Sequence, residues 1–341
     1  HAFDQDPQNT ELQFHIGQTY LALHQTQEAI QMLEMASSKE VNRADILESL
    51  AEAYYRNAEP EKAGKAAEKA GIANPFSVKP ILLNGEIALE KGDTGKALEY
   101  ARQAISRDET NSDAITFLAK VLVKRGDKVQ ALAALEKAAS GEGATLDLML
   151  KHAHLVREIK GSANSKAILE GLVAKYPQNI ELLKLLAESQ YDCGERIAAE
   201  ETSRHSLHLD ANQPEIHGFL GKLKFENGNL DQAVYHYSQQ IALDPQGING
   251  YLDLAKVYQQ QRDYHKALET LQQAIQVSSH DSRPYVASAS LLKEAKDYAS
   301  AETMLRKAAT IDPNDVNIKR QLGAVIALNL VHKSQQASSQ L

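Results

Sequence analysis

The sequence predicts an all-α array of repeated helix–turn–helix units. A small residue recurs at intervals of 34 along the whole chain, and the apolar residues inside each interval keep helical spacing. The length agrees: the chain has 341 residues. A single compact core stops growing near about 250–300 residues, whereas a repeat array has no such ceiling.

The first row of small residues is Gly17, Ala51, Gly85, Ala119, Ala153, Ala187, Gly221, Ala255, Ala289 and Gly323. A second row follows twelve residues later: Ala29, Ala63, Ala97, Ala131, Ser165, Ala199, Ala233, Ala267 and Ala301. A third follows seven on: Ala36, Ala70, Ala104, Ala138, Leu172, Ser206, Gln240, Ala274 and Ala308. Three rows in phase over the whole chain are not a chance pattern.

Each unit reads as two helices. In the first, an apolar residue precedes the small one (Ile16, Leu50, Leu118, Leu186, Leu220, Leu254, Leu322), and a large one often follows three later (Tyr20, Tyr54, Leu122, Val156, Tyr258). Spacings of 3 and 4 lie on one helix face. The small residue lets a neighbouring helix approach closely, and the large ones fill the space around it. A turn follows at Gly92-Asp93, Gly126-Asp127, Gly194-Glu195 and Gly228-Asn229, where Gly tolerates the left-handed conformation that ends a helix. The second helix places small residues at both contact points. Units close on Asn74-Pro75, Tyr176-Pro177, Asp244-Pro245 and Asp312-Pro313, because Pro cannot continue a helix.

A 34-residue helix–turn–helix unit with these small residues resembles the tetratricopeptide repeat (TPR) family. The resemblance implies a TPR α-solenoid, a right-handed superhelix of antiparallel helix pairs. Repeats then start at Thr10, Ala44, Val78, Ser112, Leu146, Ile180, Pro214, Ile248 and Ser282, giving nine repeats over 10–315. Residues 1–9 read as the end of a preceding repeat. Residues 316–341 read as the first helix of a tenth repeat, with Ser334 onward entering its second helix, or as a C-terminal cap plus polar tail. The reading adopted is a segment of a longer bacterial solenoid. The departures from the family pattern are local. The frequent Trp of the first helix is replaced, for example by Leu47, Ile115, Tyr251 and Tyr285. His152 stands in the usual Leu position, where a hydrogen-bonded core histidine is the simplest reading. The junction Ser140-Gly141-Glu142-Gly143 lacks the terminal Pro and predicts irregular stacking.

Composition narrows the function. One cysteine, Cys193, excludes a disulfide framework or a cysteine zinc cluster within the chain and reads as a free thiol. The formal net charge of −8 argues against a nucleic-acid binder. No apolar run approaches the ~18 residues needed to span a bilayer. Gly92-Asp93-Thr94-Gly95-Lys96 lacks the spacing of a phosphate loop and is explained by the repeat turn. Glu201, His205 and His208 share one face of a second helix, a spacing that a metal site or a solvated face can use. No nucleophile–base constellation stands out. The chain is therefore read as non-enzymatic, with no cofactor and no metal, and soluble in either cytoplasm or periplasm.

The resemblance implies that the first helices line a concave groove. The residues it places there are Phe14, Glu52, Tyr55, Leu82, Glu86, Phe117, Lys120, His154, Arg157, Lys184, Tyr191, Phe219, Lys222, Phe225 and Lys256. They mix apolar anchors with charges, acidic early and more basic later. Residues 1–77 carry 6 Lys/Arg against 12 Asp/Glu, whereas residues 282–341 carry 8 against 5. Two known TPR modes do not fit. The pairs Glu48/Glu52, Leu82/Glu86 and Lys184/Glu188 are not the Lys and Asn set of a chaperone-tail clamp, and the row His15, Ser49, Leu83, Phe117, Lys151, Leu185 is not an Asn ladder. The function predicted is a protein-interaction scaffold holding an extended peptide or partner helix in the groove. The alternatives are a periplasmic arm of an exopolysaccharide secretion or export assembly, or the regulatory array of a larger multidomain enzyme.

Overall fold

The computed structural model describes residues 9–141 and 143–339. Among these residues there are nineteen helices and no strand. In chain order they are α1 (Thr10–Ala22), α2 (Thr26–Lys39), α3 (Ala44–Arg56), α4 (Pro60–Ala73), α5 (Lys79–Glu90), α6 (Thr94–Arg107), α7 (Ser112–Lys124), α8 (Lys128–Ala139), α9 (Leu146–Lys160) and α10 (Ser162–Lys175). They continue as α11 (Ile180–Asp192), α12 (Arg196–Leu209), α13 (Pro214–Glu226), α14 (Leu230–Leu243), α15 (Ile248–Gln260), α16 (Tyr264–Val277), α17 (Arg283–Glu294), α18 (Tyr298–Ile311) and α19 (Val316–Ser339). Odd-numbered helices are the first helices of the units and even-numbered ones the second.

Local signals set these boundaries. Side chains of Asn9, Asn111, Thr145 and Asn179 cap first helices by accepting from a backbone N–H in the first turn, and Asp93, Asn229, Asp263 and Asp297 cap second helices. The first helices begin at the residues expected from the period, with two exceptions. Lys79 and Arg283 each start one residue late, where Pro80 and Pro284 occupy the first turn. The turn between the helices needs a residue with positive φ, and it recurs at His24, Ala58, Gly92, Gly126, Gly194, Gly228, Arg262 and Lys296. All eight keep the same register. The fifth unit shifts it: α9 has 15 residues where the other first helices of the nine units have 12 or 13, and the positive φ falls on Gly161. The departure expected near Ser140 thus takes the form of a short α8 and a long α9.

The chain forms two compact units, His1–Ile168 and Leu169–Leu341. Within each, a second helix packs between the first helix of its own repeat and that of the next, as α4 does between α3 and α5 and α14 between α13 and α15. The small-residue rows are the contact points. Ala29, Ala63, Ala97, Ala131, Ala199, Ala233, Ala267 and Ala301 are fully buried, as are Ala36, Ala70, Ala104, Ala274 and Ala308. In the fifth unit Ser165 replaces Ala at no cost in satisfaction, because its hydroxyl donates to the Ala153 carbonyl at 2.8 Å. At three glycines of the first row, Gly17, Gly85 and Gly221, the neighbour comes closer still. A Cβ on Gly17 would lie 2.7 Å from Leu33, and one on Gly221 2.8 Å from Tyr237.

Two expectations are corrected. His152 is buried as expected, but its Nε2 finds no hydrogen-bond partner among the described residues, and burial pushes its pKa down. The last helix shows no turn near Lys333; α19 is continuous to Ser339, so Ser334 does not open a new helix. The reading of residues 1–9 falls, apart from Asn9, outside the described residues.

Candidate interaction face

First helices of neighbouring repeats pack on one another, α1 on α3, α3 on α5, α5 on α7 and α7 on α9 in one unit, and α13 on α15 and α15 on α17 in the other. This brings rows spaced by about one repeat into contact. Lys120 donates to Glu86 at 2.6 Å across 34 residues. The Tyr55 hydroxyl donates to Glu90 at 2.5 Å, the Tyr191 hydroxyl to Glu226 at 2.6 Å and the Gln259 amide to Glu294 at 2.8 Å, each across 35 residues. Burial, and then the Glu90 carboxylate, raise the pKa of the Tyr55 hydroxyl, so it remains a donor at neutral pH. A second set ties the start of a second helix to the end of the next first helix: Lys91 to Glu61, Lys128 to Glu158, Arg196 to Glu226 and Gln261 to Asp231.

Clefts open along this face in each unit. In the first unit a cleft of about 430 Å³ is lined by Glu48, Glu52, Tyr55, Leu82, Leu83 and Glu86 among others. A second, of about 820 Å³, is lined by Leu82, Glu86, Phe117, Lys120, His154 and Glu158 among others. Leu82, Glu86 and Asp113 line both, so the two join into one groove over α1, α3, α5, α7 and α9. In the second unit a cleft of about 670 Å³ lies over α15, α17 and α19, lined by Leu252, Asp253, Lys256, Gln259, Arg283 and Gln321 among others. The floors are apolar and the rims charged.

The residues assigned to the groove divide. Glu52, Tyr55, Leu82, Glu86, Lys120, His154 and Lys256 line these clefts with exposed or half-buried side chains. Phe117 does so only as floor: it is 3% exposed and packs against Gly85, so it is a core residue rather than a contact anchor. Phe14 is likewise core, at 5%, with the Arg43 guanidinium over its ring. Tyr191 is half-buried and already engaged: Phe219 meets its ring edge-on at 5.5 Å, Lys222 lies 4.3 Å from its centroid, and Arg196 5.0 Å. Phe225 packs against the core around Tyr237 and Leu254. Arg157 and Lys184 are half-buried and line none of these three clefts.

One row was missed. Asp45, Lys79, Asp113, Asn249, Arg283 and Asn317 occupy the second position of their repeats and line the clefts from the N-terminal ends of the first helices. The signal was available, since these residues keep the same 34-residue register. Of the groups noted for chemistry, Glu201, His205 and His208 are all exposed on α12, and among the described residues no cluster of three or more His, Cys, Asp or Glu could hold a metal ion. No helix among them is long and apolar enough to cross a membrane.

Family models described as tetratricopeptide repeat match residues 14–77, 88–142 and 260–324, and one described as TPR repeat matches 221–262. The chain belongs to the tetratricopeptide repeat family, and its fold is the α-solenoid of that family. Solved structures agree on the fold. A tetratricopeptide repeat protein from Parabacteroides merdae is similar with a TM-score of 0.55 at 18% identity, over 73% of this chain and 98% of that one. The APC/C hetero-tetramer Cut9-Hcn1 is similar with a TM-score of 0.50 at 16% identity, over 94% of this chain and 56% of that one.

Proposed function

We propose that the protein is a non-enzymatic interaction scaffold that holds an extended peptide or a partner helix on its first-helix face. TPR repeats and TPR-protein neighbours support a protein-binding scaffold in general. The observation that carries the finer reading is the groove of the first unit, in which two clefts share Leu82, Glu86 and Asp113. Such a groove offers apolar area for affinity and placed charges for register.

Site-specific photocrosslinking tests this. A photoreactive residue is placed at Gln18, Glu52 or His154 on the groove, or at the exposed second-helix positions Val129, Ile197 and Tyr235. In a lysate of the source cells the groove positions are expected to give discrete adducts and the second-helix positions none. Adducts from the second-helix positions alone would refute the reading.

A further inference from the structure

The charges around one part of the first-unit groove, the cleft shared by α1, α3 and α5, do not balance, and the imbalance points to one kind of occupant there. The cleft over α1, α3 and α5 is floored by Tyr55, Pro80, Leu82 and Leu83. Around that floor stand five carboxylates, on Asp45, Glu48, Glu52, Glu86 and Asp113, against two cations, on Arg56 and Lys79. Three of the carboxylates are engaged within the protein: Asp45 by Arg43, Glu52 by Arg56 and Glu86 by Lys120. Among the described residues Glu48 and Asp113 receive no hydrogen bond and no ion pair, and Glu48 is half-buried against the apolar floor. The corresponding cleft of the second unit differs. There two carboxylates, Asp253 and Asp315, stand against Lys256 and Arg283, and Lys256 is paired with Asp253 at 2.7 Å.

Resting on the reading of this face as a peptide groove, we infer that the occupant of the first-unit groove is an extended segment rich in Lys and Arg. Its aliphatic stems would cover Tyr55 and Leu82 while its charged heads reach Glu48 and Asp113. Lys and Arg suit such a place because their methylene stems bury on apolar surface and leave the charge free to pair. A carboxylate beside an apolar wall is solvated less than one in open water, so a partner cation gains more from it than from a surface acid. An acidic segment would meet like charges, which weaken binding and exclude it.

The test is selection from a displayed library of random peptides about twelve residues long, with affinities then read by fluorescence anisotropy. Three proteins are compared. They are the wild type, a groove variant (Glu48→Gln, Glu52→Gln, Asp113→Asn), and a control that loses the same charge from exposed second-helix positions (Glu28→Gln, Glu68→Gln, Glu99→Gln). Circular dichroism checks that all three are helical. Peptides selected on the wild type are expected to be enriched in Lys and Arg about threefold or more over the library. They are expected to bind the groove variant at least about tenfold more weakly, and the control within about twofold of wild type. Equal losses in the groove variant and the control would mean attraction by net charge alone and would overturn the inference. Selected peptides that are uncharged or acidic, yet lost in the groove variant, would overturn the partner's chemistry and leave the groove reading standing. No peptides selected at all would overturn both.

Discussion

A Cβ on Gly85 would lie 2.5 Å from Cε1 of Phe117. The residues belong to the first helices of successive repeats, α5 and α7, and the absent side chain is what lets the ring come this close to α5. Phe117 is a core residue for the same reason. Gly85→Ala is expected to cost about 1–3 kcal/mol, the usual penalty of overpacking. The same substitution at Gly323 meets nothing within 4 Å. It is expected to be neutral or to stabilise by up to about 1 kcal/mol through helix propensity. Urea unfolding of the two variants decides; equal effects would mean that the close approach at Gly85 is not what selects glycine.

The turn position gives an opposite pair. Ala58 has φ +57° and Gly92 has φ +77° at equivalent positions. Ala58→Gly is expected to stabilise by roughly 0.5–1 kcal/mol and Gly92→Ala to destabilise by roughly 1–2 kcal/mol, because the left-handed region is strained for a side chain bearing Cβ. Thermal melts of both variants would show shifts of opposite sign.

Lys224 is 8% exposed and donates to Glu200 at 2.6 Å, with Arg204 on the same carboxylate. Removing the acid leaves a buried cation without a counter-charge. Glu200→Ala is expected to cost roughly 3–5 kcal/mol, and Lys224→Met much less because the aliphatic stem is kept. Chemical denaturation checks the order; a pair whose value lay only in mutual attraction would lose the same amount from either side.

His236 lies beside His217, their Nδ1 atoms 3.2 Å apart. Burial, then the proximity of His217, Lys224 and Arg204, push the pKa of His236 down to about 4 from an ordinary 6.5. Burial also lowers that of His217. The folded protein therefore binds fewer protons than the unfolded chain between these values. Stability is full above about pH 6.5 and falls as the pH drops toward about 4. Urea midpoints at pH 7.5, 6 and 5 would show the decline, and His236→Gln would flatten it. An unchanged slope in that variant would show that His236 is not a source.

The Tyr191 hydroxyl bond to Glu226 joins successive repeats. Tyr191→Phe keeps the ring contacts with Phe219 and Lys222 and removes only that bond. A loss of roughly 0.5–1.5 kcal/mol is expected. Hydrogen exchange should speed up in α11 and α13 before it does in α17.

The sequence by itself determined the fold. The 34-residue period, the small-residue rows, the turn glycines and the terminal prolines are local or periodic features. Each acts through helix geometry that every repeat shares, so reading one unit reads them all. It also named Glu52, Tyr55, Leu82, Glu86, Lys120, His154 and Lys256, which line the clefts with exposed or half-buried side chains. What only the tertiary structure decided is which side chains on this face remain available. Phe14 and Phe117 are taken up by packing, and Glu86, Lys120, Tyr55 and Tyr191 by partners in neighbouring repeats, whereas Glu48 and Asp113 stay uncommitted. Those outcomes depend on how far each first helix lies from the next and on which rotamer meets which carboxylate across 30–35 residues. A period fixes that two rows are neighbours; the distances between particular side chains arise only when the helices are packed.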